Sequence, residues 1–99
     1  GRRLWTMNCV DCGKPLPPRV AGLATRPAGD EYVHSWFFCR PCGVYTRETW
    51  IDRWSGSSTH IDRVEKDVGD RMIALIAQCP RALDDKCDCI VHQTVGVGW

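Results

Sequence analysis

Cys9-Val10-Asp11-Cys12-Gly13 and Cys39-Arg40-Pro41-Cys42-Gly43 are two copies of one pattern, C-x-x-C-G, with 26 residues between Cys12 and Cys39. A C-x-x-C turn aims two thiolates at one point, and the glycine that follows allows the left-handed backbone that wraps the sulfurs. Two such turns facing each other make a tetrahedral four-sulfur site suited to zinc or a single iron. The competing reading, two disulfides, fits the spacing less well. Cys9, Cys12, Cys39 and Cys42 are therefore the first candidate metal set.

The chain between and after these turns reads as strands. Lys14-Pro15-Leu16-Pro17-Pro18 places three prolines in four residues, which forbids a helix and favours extended chain. Residues 19–24 suit a short strand, and 25–30, with Pro27 and Gly29, a turn. Residues 31–38 are aromatic and β-branched and run straight into Cys39, the clearest strand signal in the chain. Tyr32, His34, Trp36 and Phe38 would share one face, with Val33, Ser35 and Phe37 on the other. Residues 44–50 would return antiparallel, setting the second cysteine turn at a hairpin.

Ser55-Gly56-Ser57-Ser58-Thr59 is polar and turn-forming, and residues 55–60 read as a linker closing a first unit of residues 1–54. An amphipathic helix is expected over 61–78, capped by Ser58 or Thr59. Ile61, Val64, Val68, Met72, Leu75, Ile76 and Cys79 recur at steps of three or four, and Pro80 is compatible with a stop. Gly69 costs such a helix about 1 kcal/mol relative to Ala. The apolar stripe reads as core rather than as a ligand groove.

Residues 79–99 hold a second constellation, C-x7-C-x-C-x2-H. Cys79, Cys87, Cys89 and His92 supply three thiolates and an imidazole, a recognised zinc complement. The C-x-C step also suits a wrapped loop or an iron–sulfur cluster. Free core thiols and a Cys87–Cys89 redox pair are the alternatives to a metal. His60 is set aside as a ligand because it would sit at the far end of the expected helix. His34 reads as a packing or surface residue. Asp84, Asp85 and Asp88 near His92 read as a turn rather than a hydrolytic site.

Composition bounds the rest. The chain has 99 residues, net charge +1 and seven cysteines. A chain this short buries a limited core and often needs a staple. The odd cysteine count and the C-x-x-C spacing point to a reducing compartment, with the cytoplasm expected. No window approaches a membrane span, and Gly1-Arg2-Arg3 is not followed by the apolar core of a signal peptide. Residues 1–54 hold eight Lys/Arg against five Asp/Glu, a weak basic bias. Ser-His-Asp order, phosphate-loop and H-E-x-x-H patterns are lacking. The fold class that follows is a small α+β, metal-stabilised domain of β-hairpins, one amphipathic helix and a metal-bound C-terminal loop.

The first half, through Cys9, Cys12, Gly13, Cys39, Cys42, Gly43 and the aromatic strand between them, resembles a zinc ribbon. That superfamily includes transcription factors, ribosomal proteins and accessory subunits, so the resemblance implies a metal site and little about activity. Trp36-Phe37-Phe38-Cys39-Arg40-Pro41-Cys42-Gly43 also looks like the second loop of a rubredoxin, which would imply one iron and electron transfer. Rubredoxins are strongly acidic, and Lys14-Pro15-Leu16-Pro17-Pro18 departs from their pattern.

Three functions follow as expectations. The first is a zinc-bound accessory subunit docking on a larger protein, motivated by complete ligand sets, five tryptophans and the apolar tail Val95-Gly96-Val97-Gly98-Trp99. The alternative is a nucleic-acid-binding ribbon in which Arg19, Arg26, Arg40, Arg47 and Arg53 interleave with Tyr32, Trp36, Phe37, Tyr45 and Trp50. The third is a small iron or iron–sulfur electron carrier, and catalysis by the chain alone is not expected.

Overall fold

The computed structural model describes residues 7–26, 29–87 and 89–95. Four strands follow one another, β1 (Ala21–Thr25), β2 (Glu31–Cys39), β3 (Val44–Arg53) and β4 (Gly56–Glu65), then two helices, α1 (Lys66–Ile76) and α2 (Ile90–Val95). The strands form one antiparallel sheet in the order β1-β2-β3-β4. β2 and β3 pair over nine positions, from Cys39 opposite Val44 to Glu31 opposite Asp52. This is the hairpin expected from the aromatic segment, and Cys39 closes it.

Alternation gives the sheet two faces. One carries Leu23, Trp36, Phe38, Tyr45 and Val64, and α1 packs over it with Val68, Met72, Ile73 and Leu75. Trp36 and Leu23 are fully buried there. His34 shares this face, buried, with its Nδ1 3.2 Å from the Thr49 hydroxyl. Burial, with help from the Arg47 charge, brings its pKa down to about 4, so the ring stays neutral. The opposite face carries Ser35, Phe37 and Thr46. Residues 7–20 reach it at two points, with the Val10 amide donating to Thr46 Oγ1 at 3.0 Å and Arg19 to Ser35 Oγ at 3.2 Å.

The stretch expected as a linker and the first part of the expected helix form β4 instead. Arg53 pairs with Gly56 across a two-residue turn, Trp54-Ser55, and the ladder then runs unbroken to Val44 opposite Glu65. Ten consecutive pairings hold 56–65 against β3, with alternate residues bonded to it, and Ser, Thr, Ile and Val tolerate the extended conformation. Ile61 is half-exposed on the strand instead of heading a buried helical stripe. His60 is likewise in mid-strand, opposite Thr49, and exposed.

The helix begins at Lys66, after Glu65 in extended conformation with no side-chain cap, and ends at Ile76. Neither Ser58 nor Thr59 caps it. Gly69 is buried beneath the Tyr45 ring, which a Cβ at that position would overlap. The glycine that weakens helix propensity is thus the contact point that lets α1 approach β3. The arm of residues 1–6, Asp88 and the tail residues 96–99 lie outside the described residues, as do the Thr94 and Val95 side chains.

Candidate metal centres

The first four-cysteine set is assembled from two turns of the same shape. In each, the glycine amide donates to the carbonyl of the first cysteine at 2.8 Å, Gly13 to Cys9 and Gly43 to Cys39. Gly13 and Gly43 take φ of 76° and 66°, the left-handed region that disfavours a Cβ. The 39–43 turn is the β2–β3 hairpin turn. The 9–13 turn is held over it by Val10 on Thr46, by an Asn8–Pro15 bridge and by the Cys9 amide on the Lys14 carbonyl. The Asp11 amide also points at Cys9 Sγ, 3.4 Å away.

The sulfurs of Cys9, Cys12, Cys39 and Cys42 all lie within 4.8 Å of one another, with Cys12 and Cys39 at 3.8 Å. A tetrahedral ion with bonds of about 2.3 Å sets its sulfurs about 3.8 Å apart. The set can therefore hold one metal ion. As free thiols Cys9 and Cys42 are pushed in opposite directions. Burial raises Cys9, but the amides of Cys12 and Asp11 outweigh it and hold the thiol at about 7. Hydrogen bonding with Cys12, together with burial, pushes Cys42 up to about 12. Four sulfurs at this spacing cannot all ionise unaided, and a dication is the natural remedy.

The second set closes beyond the C-terminal end of α1. Cys79 follows the helix end, and its amide bonds to the Ile76 carbonyl at 3.0 Å. The chain then turns through 80–86, where the Ala82 carbonyl accepts from the Ala24 amide of β1 at 2.8 Å, and returns through Cys87 and Cys89 into α2. Cys79 Sγ lies 3.7 Å from Cys87, 3.4 Å from Cys89 and 3.5 Å from His92 Nδ1. Cys89 is also 3.5 Å from that nitrogen. A tetrahedral ion with sulfur and imidazole ligands sets such edges at about 3.6–3.8 Å.

His92 Nε2 sits 3.2 Å from the Ala82 carbonyl, which orients the ring and leaves Nδ1 for an ion. Burial raises Cys79 to about 11, while the His92 amide and ring lower Cys89 to about 6.

Both predicted sets are thus brought together, and His34 and His60 belong to neither. The sequence reading missed α2, which converts the wrapped loop into a helical turn and puts Cys89 and His92 three apart on one side. The Cys89-x2-His92 spacing is the signal that carries it. Missed too was the Ala82 carbonyl behind His92, for which a sequence has no signal. Asp84 and Asp85 do not form an acidic site. Asp84 accepts from the Lys86 amide at 3.0 Å, and Asp85 pairs with Arg26 at 2.6 Å. Asp88 lies outside the described residues.

No protein-family model matches the chain, and neither a curated protein nor a solved structure does. No helix among the described residues is long and apolar enough to cross a membrane.

Proposed function

We propose that this chain is a structural interaction module, stapled by two zinc ions and docking on a larger protein. The observation that carries it is the completeness of both donor sets. Each gathers four protein ligands at single-ion spacing. With all four positions of a tetrahedral ion taken, no open site remains for a substrate or an activated water. A zinc ion there would offset part of the clustered thiolate charge and cross-link distant segments. A multi-iron cluster would need its thiolates farther apart than these. Docking is supported by Trp54 at the tip of the β3–β4 hairpin, which is 100% exposed. A tryptophan in that setting suits an interface anchor. The tail also invoked for docking lies mostly outside the described residues.

The nucleic-acid alternative finds less support. Trp36, Phe37 and Tyr45 are buried, so they offer no stacking surface. Arg26, Arg47 and Arg53 are paired with Asp85, Asp62 and Asp30.

The test has two readouts. Elemental analysis with an absorption spectrum should give two zinc per chain and no visible band; a red or brown iron protein would move the function to electron transfer. A photo-crosslinking residue at position 54 should then give one discrete adduct with a different protein in the native cell. Adducts only with the chain itself, or none, would overturn docking through this hairpin.

A further inference from the structure

The sheet has two edges of opposite character. β1 is five residues long, and its Ala24 amide is already taken by the Ala82 carbonyl. β4 is ten residues long, contains neither Pro nor Lys, and has no bulge in its register. Arg53 and Gly56 close a two-residue turn, so their hydrogen bonds face each other. Alternation then directs the backbone N–H and C=O of Ser58, His60, Asp62 and Val64 toward β3. Those of Ser57, Thr59, Ile61, Arg63 and Glu65 point outward. All five outward residues are exposed, and no backbone hydrogen bond to them from outside the sheet is found among the described residues. Such an edge is a template for another strand unless it is blunted.

We propose that the occupant is β4 of a second copy, paired antiparallel about a two-fold axis at Ile61. The result is a continuous eight-stranded sheet and a closed, isologous dimer. The side chains choose both the partner and the register. Only registers that oppose outward residues with outward residues can form the ladder. An axis at Ile61 sets the two half-exposed Ile61 side chains against each other and places each His60 opposite the second copy's Asp62. His60 and Asp62 would form a non-hydrogen-bonded pair, where side chains approach most closely. Asp62 already holds Arg47 at 2.5 Å, so the line Arg47–Asp62–His60 would cross the interface on one face, twice. Neighbouring registers oppose like groups. An axis at His60 sets His60 against itself, at Asp62 carboxylate against carboxylate, and at Arg63 guanidinium against guanidinium. An axis at Thr59 separates the isoleucines and leaves Asp62 opposite Gly56.

The test is the mass of the zinc-loaded full chain by sedimentation across a concentration series. Twice the 11.2 kDa chain mass is expected in the upper range. Ile61→Lys, an exposed position that the monomer fold does not need, should weaken association at least tenfold, while Ile61→Val keeps it. His60→Lys should tighten association several-fold by setting an ammonium group opposite Asp62. In the register centred on His60 the same change would weaken it. Without any substitution, the amides of Thr59, Ile61 and Arg63 should exchange more slowly as concentration rises. A chain that stays monomeric at hundreds of micromolar overturns the proposal. So does a dimer indifferent to Ile61→Lys, or one in which those three amides stay unprotected. Weakening by His60→Lys overturns the register.

Discussion

The two candidate metal centres differ in what they are embedded in. Cys9 and Cys39 belong with Val44 to a small buried cluster of their own at the end of the β2–β3 hairpin, bordered by Leu16 and Cys42. Cys12 of that set is exposed. Cys79 and Cys87, by contrast, are members of the main core, in one cluster with Leu23, Trp36, Tyr45, Val64, Ile76 and Val91. The first centre decorates one end of a sheet that has its own ladder. The second ties β1, α1 and α2 into a single interior. Similar donor sets should therefore have unequal weight in stability, since an ion's binding energy becomes folding energy only for the structure it organises.

The largest expected effect is at the second centre. Cys79→Ser removes a buried candidate ligand and puts a hydroxyl among apolar neighbours. Structural zinc supplies roughly 10–16 kcal/mol of apparent binding energy in small domains, against roughly 5–15 kcal/mol of total stability. The variant should lose its cooperative thermal transition and the buried-indole fluorescence of Trp36. Cys12→Ser, at the exposed corner of the first centre, should cost on the order of 1–3 kcal/mol. Its damage should be local, with faster amide exchange in 8–16 and 39–44 and unchanged exchange in α1. Equal losses from the two variants, read by the same denaturation curves, would erase the distinction.

The same contrast explains what was legible in the sequence. The first centre is written locally, because each C-x-x-C-G unit carries its ligands and its turn glycine together. The four candidate donors of the second are legible from spacing alone, but their embedding is not. What makes Cys79 a core residue is the return of 80–86 onto β1, a contact between positions almost sixty residues apart. β2 and β3 announce themselves through aromatic and β-branched residues. β4 does not, because as an edge strand it buries little and shows no clean alternation, while Ile61, Val64 and Val68 happen to fall at helical steps. Its conformation is imposed by β3. Gly69 was read only as a cost to the helix, since nothing local shows that Tyr45 lies against it.

Gly69 and Tyr45 join the two regions: Tyr45 sits in the main core, next in sequence to Val44 of the small cluster. Gly69→Ala would gain up to about 1 kcal/mol of helix propensity. It would also press a methyl into the Tyr45 ring, an overpacking that costs about 1–3 kcal/mol. The net expectation is a loss of up to about 2 kcal/mol, measured by urea denaturation. A stabilised Gly69→Ala would show that α1 can shift away from β3, and that the seam between the two regions is loose.

The smallest effect is at the other end of the same contact. Tyr45 donates its hydroxyl to Asp70 Oδ1 at 2.5 Å, and Lys66 holds the other carboxylate oxygen at 2.7 Å. Tyr45→Phe keeps the packing and removes the bond, for a loss of about 1 kcal/mol. The bond also fixes how that loss varies with pH. Lys66 first, and then Tyr45, lower the Asp70 carboxyl below its usual value. The stabilisation is therefore complete above the ordinary carboxylate range and fades as pH falls through the lowered value. Burial first, and then Asp70, raise the Tyr45 phenol to about 12. That contribution is complete below the ordinary tyrosine range, near 10, and is lost as pH climbs through about 12. The stability gap between the native chain and Tyr45→Phe should be widest at neutral pH and narrow toward both extremes. A gap that does not change with pH would mean that packing alone, and not this bond, fastens the helix to the strand that joins the two centres.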